Sequence, residues 1–131
     1  MIKPSAFAAG YTGKILTMIE GAGFRIVAMK KLAMSKEEAG HFYEMHRGKP
    51  FFEELTTFMS SGPIVAAILE KENAVESFRE FIGATDPAKA AEGTIRKLFG
   101  KNLGENAIHG SDSDESANVE AGFFFSFLER H

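Results

Sequence analysis

The stretch Asn106-Ala107-Ile108-His109-Gly110-Ser111-Asp112-Ser113 sets one histidine in a small, polar, glycine-containing turn directly before a helix start. A neutral imidazole keeps a free lone pair near neutral pH, because its unperturbed pKa is roughly 6.5, and it is a better nucleophile there than serine or threonine. A histidine so placed could accept a phosphoryl group. Taken alone, the segment reads more readily as an ordinary turn histidine followed by a Ser/Asp helix cap, so residues elsewhere must decide. Phosphoryl transfer asks a protein for a nucleophile, for positioning and for cations around the moving group. Lys3, Arg79 and Arg96 each fall near the end of an expected element, where side chains can converge on one cleft. An arginine there can fork two donors onto a phosphate.

The elements that must position these groups can be read from periodicity and punctuation. Ile15, Met18, Ile19 and Ala22 follow helical spacing over Lys14 to Ala22, and Gly21 and Gly23 mark the end. Phe24 to Met34 alternates like a strand. Ser35 and Glu38 form a capping-box pattern, so a helix opens at about Lys36 and carries Ala39, Phe42 and Tyr43. A break at Gly48 leads to Pro50, suited to the first turn of a helix bearing Phe52, Leu55 and Met59. After the turn Ser60-Ser61-Gly62-Pro63, the apolar run Ile64 to Leu69 reads as a central buried strand. Asn73 and Glu76 suggest the next helix start, with Val75, Phe78 and Ile82 on its inner face. Gly83 to Glu105 is a long, glycine-punctuated connection, and such loops are seldom kept without a use. A short strand through Ala107 and Ile108 then brings the chain to His109, and a last helix from about Ser113 to Leu128 turns Val119, Phe123 and Phe127 inward. The helices are too few and the strands too short for a large doubly wound sheet, which leaves an α+β sandwich.

Composition narrows the function classes. At 131 residues and 44% hydrophobic content, one compact domain with a real core is expected, spanning residues 1–131. No cysteine is present, so thiolate metal sites and disulfides are excluded. No apolar run approaches the roughly 20 residues needed to span a bilayer, and a soluble, cytoplasmic protein without a membrane partner is expected. A net charge of -3 argues against broad nucleic-acid binding and disfavours a single-strand-binding role for the exposed aromatics. Gly10-Tyr11-Thr12-Gly13-Lys14 lacks the spacer and following Ser/Thr of a phosphate loop. His41 and His46 are badly spaced for one helical face, so no protein-built metal site is assigned.

These residues together resemble the nucleoside diphosphate kinase family over nearly the whole chain. The resemblance rests on Ile2-Lys3-Pro4, Gly23-Phe24, Phe42-Tyr43, Lys49-Pro50-Phe51-Phe52, Ser61-Gly62-Pro63, Gly83-Ala84-Thr85-Asp86-Pro87, Gly93-Thr94-Ile95-Arg96 and Asn106 to Ser113, in that order. It implies a ferredoxin-like βαββαβ sandwich, an antiparallel sheet covered by helices, and a homo-oligomer, hexamer or tetramer, built from dimers. It further implies a ping-pong reaction in which His109 takes the terminal phosphoryl group of a nucleoside triphosphate and passes it to a nucleoside diphosphate. Lys3, Tyr43, Arg79, Thr85, Arg96 and Asn106 would surround phosphates and ribose, with Lys3 also serving catalysis. Glu120, with Ser111, would hold the imidazole in its reactive orientation. Phe51 would stack on the base with Leu103 on its other side, a contact every base can make. Magnesium (Mg2+) is expected with the nucleotide, held mainly by phosphate oxygens and water, with Asp112 either an outer contact or a cap of the last helix. Two departures stand out: a first strand expected to be short at the N-terminus, which would hold Lys3 less firmly, and Ser5 where the family usually has aspartate. They motivate an alternative reading, a weakly active relative that binds nucleotide or a protein partner as a regulatory module.

Overall fold

The computed structural model describes residues 1–131. The helices are α1 (Pro4–Ala8), α2 (Thr12–Gly21), α3 (Lys36–Phe42), α4 (Phe52–Met59), α5 (Ala74–Ile82), α6 (Ile95–Phe99) and α7 (Asp114–Phe124). The regular strands are β1 (Arg25–Leu32) and β2 (Ile64–Glu70), and single 3-10 turns occur at Glu44–His46, Pro87–Lys89 and Phe127–Glu129. β1 and β2 pair antiparallel, Leu32 opposite Ile64 and Arg25 opposite Glu70, with a bulge between Ile26 and Ala28. Ile2 bridges Val65 on one side and Ile108 on the other, both antiparallel. The spatial order β1, β2, Ile2, Ile108 and the chain order Ile2, α2, β1, β2, α5, Ile108 make this the expected ferredoxin-like βαββαβ arrangement. Its first and last strands are reduced to single bridges. No helix is long and apolar enough to cross a membrane.

β2 is central, as its unbroken apolar run implies, because helices pack on both faces of the sheet. Val65 joins Ile2, Ile15, Ile19, Phe24, Ile82, Ile95 and Ile108 in the cluster under α2 and α5. Its neighbours Ile64 and Ala66 turn the other way, Ile64 with Met34, Ala39, Tyr43 and Met59, and Ala66 with Ala28 and Phe125. Strand alternation thus assigns one residue to each layer in turn. The capping box opens α3 as expected: the Glu38 amide donates to Ser35 Oγ at 3.1 Å, and the Ser35 amide donates to Glu38 Oε1 at 2.8 Å.

Several expectations are corrected. The last helix stops at Phe124, because Phe125 adopts extended backbone and inserts its ring, 4% exposed, beneath the sheet. Val119, Phe123 and Phe127 do not face inward; all three are exposed. The inner stripe is Ala117, Glu120, Ala121 and Phe124, since the helix must rotate to bring Glu120 against His109. The Gly83 to Glu105 connection is not irregular throughout but holds α6 and a 3-10 turn capped by the Asp86 carboxylate, which accepts from the Ala88 amide. Asn73 precedes α5 in left-handed conformation with φ 53°, and its side chain donates to Glu76 instead of capping an amide. Helix α1 was not signalled at all, and α2 begins at Thr12, ahead of its apolar stripe.

Gly83 is where α5 hands the chain to that connection. Its φ of 95° and ψ of 177° lie in a region essentially restricted to glycine. A Cβ there would meet Thr94 Oγ1 at 2.5 Å and Thr94 Cβ at 2.7 Å. Gly83→Ala should therefore lower unfolding free energy by at least about 1–3 kcal/mol. Urea denaturation checks this, and a change within about 0.5 kcal/mol, the range of ordinary surface substitutions, would contradict it.

Candidate active site

A cleft of about 700 Å³ gathers Lys3, Tyr43, Phe51, Arg79, Thr85, Arg96, Leu103, Asn106, His109 and Glu120 into one lining. These come from opposite ends of the chain and from six separate segments, so the fold alone brings them together. Ser111 is not in the lining. It stands behind, its hydroxyl donating to Glu120 Oε1 at 2.9 Å.

The backbone around His109 is held from two directions. The His109 amide donates to the Met1 carbonyl at 2.8 Å, and the Lys3 amide donates to the Ala107 carbonyl at 2.9 Å. Between them Ala107 takes φ 75°, with the Ile108 amide donating back to the Asn106 carbonyl at 3.0 Å. That is a γ-turn of the rare, strained hand, adopted here by a residue with a Cβ. Such strain persists only where surrounding contacts over-determine it, and it clusters at functional sites.

The ring itself is pinned. Nε2 lies 2.5 Å from Glu120 Oε1, and the rings of Phe42 and Tyr43 pack edge-on at centroid distances of 5.4 and 6.2 Å. Because a carboxylate accepts at Nε2, the proton of the neutral ring is assigned there and the lone pair to Nδ1, which has no protein partner. Burial pushes the His109 pKa down, and although the Glu120 hydrogen bond and charge oppose this, the balance stays below the ordinary histidine value. The ring is neutral at pH 7. Burial by itself would raise Glu120, but the hydrogen bonds and charge from His109 and the Ser111 hydroxyl hold it below the usual carboxylate range. Burial, then the Glu120 charge, raises the Tyr43 phenol.

The cations are aimed by backbone carbonyls. Arg96, only 6% exposed, donates from Nη1 to the Gly83 carbonyl at 3.1 Å and from Nη2 to the Ile108 carbonyl at 2.9 Å. Arg79 Nη1 reaches the Gly110 carbonyl at 3.3 Å. Lys3 is buried and makes no side-chain hydrogen bond or ion pair; burial, with Arg96 nearby, lowers its pKa to about 8. Burial, with Arg79 nearby, lowers Arg96 to about 10. Asn106 Nδ2 donates to the Thr85 carbonyl at 2.9 Å. Left without partners are Arg96 Nε, Tyr43 Oη and Asn106 Oδ1, all buried. Burying two cations, Lys3 and Arg96, beside unpartnered polar groups is costly unless an anion with both acceptors and hydroxyls joins them.

Asp112 lines the cleft, and it is Ser113 that caps α7, its Oγ accepting from the Ser116 amide at 3.0 Å. Phe51, 47% exposed, precedes α4 at the cleft, and Leu103 is 60% exposed. Sequence reasoning passed over His46, Glu54, Asn102 and Glu105 as cleft residues, although all four line it. His46 sits edge-on to Phe51 at 5.2 Å, and nearness in the chain to Phe51 was its only signal.

Comparisons with known proteins cover nearly the whole chain. The family model for nucleoside diphosphate kinase matches residues 1–129. The chain is 59% identical over 129 residues to the nucleoside diphosphate kinase of Chlorobium luteolum, covering 98% of this chain and 92% of that protein. It is 55% identical to that of Persephonella marina, with the same coverage of each. Among solved structures, the nucleoside diphosphate kinase of Aquifex aeolicus superposes with a TM-score of 0.97 at 50% identity, over 99% of this chain and 94% of that one. A halophilic nucleoside diphosphate kinase from Halobacterium salinarum in complex with CDP gives 0.95 at 38% identity, over 99% and 87%.

The His109–Glu120 pair makes a signed prediction. Glu120→Gln keeps a hydrogen-bond acceptor but removes the charge that opposes burial, so the His109 titration midpoint should fall further. NMR titration of the imidazole checks it, and an upward movement would show that Glu120 is not the group raising the ring's pKa.

Proposed function

The chain belongs to the nucleoside diphosphate kinase family, and from that premise we propose that it transfers the terminal phosphoryl group of a nucleoside triphosphate to a nucleoside diphosphate through a phosphohistidine on His109. The observation that carries the proposal is a neutral imidazole with Nε2 fixed by Glu120 and Nδ1 free, in the same cleft as Lys3, Arg79 and Arg96. Nδ1 attacks the terminal phosphorus, a bond forms between nitrogen and phosphorus, and the bond to the bridging oxygen breaks. The diphosphate leaves with that oxygen. As the ring gains positive charge, the Glu120 carboxylate stabilises it. A terminal oxygen of a second diphosphate then attacks the same phosphorus and the P–N bond breaks, restoring the imidazole.

The three cations act as the clamp on charge spread over the phosphoryl oxygens. The partnerless groups match the rest of a nucleotide: Asn106 Oδ1 can accept from a ribose hydroxyl, while Tyr43 Oη and Arg96 Nε can donate to phosphate. The halobacterial relative holds CDP, and the same cleft here is read as taking nucleoside diphosphates and triphosphates. Phe51 and Leu103 offer apolar faces to the base without reading its edge, which favours broad base tolerance. Magnesium belongs to the proposal as a companion of the nucleotide. No group of three His, Asp or Glu side chains is placed to hold a bare ion, and Asp112 is the cleft carboxylate that would hold a water of an ion bound to phosphate. The ion, when bound, would neutralise charge on the phosphate oxygens. Assembly into a homo-oligomer of dimers is part of the same reading, supported by the exposed Val119, Phe127 and Leu128 near the C-terminus.

Incubation with labelled nucleoside triphosphate should give an acid-labile, alkali-stable phosphoprotein whose label chases onto added diphosphate and is absent in His109→Ala. Nucleotide binding without label would instead make the protein a binding module. Arg96→Ala should slow transfer by about two to three orders of magnitude, the usual cost of one preorganised donor. Single-turnover kinetics measure this, and a near-normal rate would remove Arg96 from the clamp.

A further inference from the structure

Leu103 is an apolar side chain, 60% exposed, on a loop without regular structure. A leucine on a loose loop would not stay open to the cleft, because it would turn onto any nearby apolar surface and would lose order on each opening. Something must hold this tip. The loop is anchored at one end by the Gly100 amide on the Arg96 carbonyl at 2.9 Å, and at the other by Asn106 on Thr85. Between Gly100 and Glu105, the Asn102 carboxamide is the one side chain that makes a hydrogen bond. Its Oδ1 accepts from the Gly104 amide at 3.1 Å and from the Glu105 amide at 2.9 Å. The Lys101 amide, donating to the Glu105 carbonyl at 2.9 Å, closes the loop. Leu103 is the residue this Asx turn encloses and presents.

We propose that Asn102 is a positioning residue for the base-binding end of the cleft, acting through Leu103, which it holds preorganised to pack on a nucleobase. The inference rests on the nucleotide-binding reading of the cleft. The Asn102 side chain makes no hydrogen bond to Lys3, Arg79, Arg96 or His109. Its two acceptor bonds lie at the exposed rim, where freed amides turn to water. Losing them costs order and not desolvation, and the effect belongs in nucleotide binding and not in the chemical step.

Asn102→Ala should raise KM for every nucleoside diphosphate by about 3- to 10-fold, the range expected for a lost capping acceptor. kcat should be unchanged. Asn102→Asp keeps the accepting oxygen and should restore KM. Ribose 5-triphosphate, a donor with no base, should be used equally well by wild type and Asn102→Ala. Unchanged nucleotide KM in Asn102→Ala alongside a raised KM in Phe51→Ala would overturn the inference while leaving the base site in place. Unchanged KM in both would sink the reading of that end of the cleft itself. An equal loss with the baseless donor would show that Asn102 supports the loop generally, and a fall in kcat alone would place it in the chemistry; either result overturns the role assigned here.

Discussion

The contact on which the structure turns is the 2.5 Å hydrogen bond between His109 Nε2 and Glu120. A histidine in a turn has two nitrogens and several rotamers, and only one arrangement leaves a nucleophilic lone pair in the cleft. Glu120 fixes the tautomer and the ring plane together, and Ser111 fixes Glu120. This demand reaches back into the fold. For Glu120 to meet His109, α7 must turn its small residues Ala117 and Ala121 inward, and larger apolar residues such as Val119 are left on the outside. The helix is oriented by a polar contact at the expense of an apolar one.

A second constraint follows from the charge inventory. Lys3 and Arg96 are buried, and burial works against the charged form of each. Neither is paired with a carboxylate, which on the proposed reading would have occupied the groups an incoming phosphate must reach. Backbone carbonyls of Gly83, Ile108 and Gly110 aim the arginines instead. A carbonyl carries only a partial charge, so it orients a guanidinium without neutralising it. Lys3 and the two guanidinium groups therefore keep their charge free of ion pairs, although the chain as a whole is acidic.

What was legible in the sequence divides along physical lines. The capping box at Ser35 and Glu38 and the apolar run from Ile64 specify local structure through neighbours in the chain, and both were readable. Their placement in a βαββαβ sandwich came with the family resemblance, and so did most of the cleft residues, which periodicity could not have gathered from six segments. Tertiary demands were not readable. Val119, Phe123 and Phe127 have the spacing of an inner face, but the core already had Phe124 and Phe125 to fill the space. Ala107 carries no mark of its positive φ, because alanine is no turn former; the γ-turn is imposed by the pairing of its own carbonyl with Lys3 and of His109 with Met1. Helix α1, at five residues, is too short for a periodic signal. Asn102 looked like one more polar loop residue, and only the hydrogen bonds to Gly104 and Glu105 distinguish it.

One further consequence joins the two ends of the cleft. If a single site serves both donor and acceptor, any contact that favoured one nucleotide over the other would slow half of the cycle, because the two half-reactions are the same step run in opposite directions. Strong, directional groups are best placed where all nucleotides are alike, at the phosphates and ribose, and on the proposed reading Lys3, Arg79, Arg96 and Asn106 take those places. Where nucleotides differ, at the base, an indifferent surface serves better. On the proposed reading Phe51 and Leu103 provide one, and an apolar surface binds only if it is held open in water. That requirement makes the ordering of an exposed loop as much a part of the site as the buried imidazole.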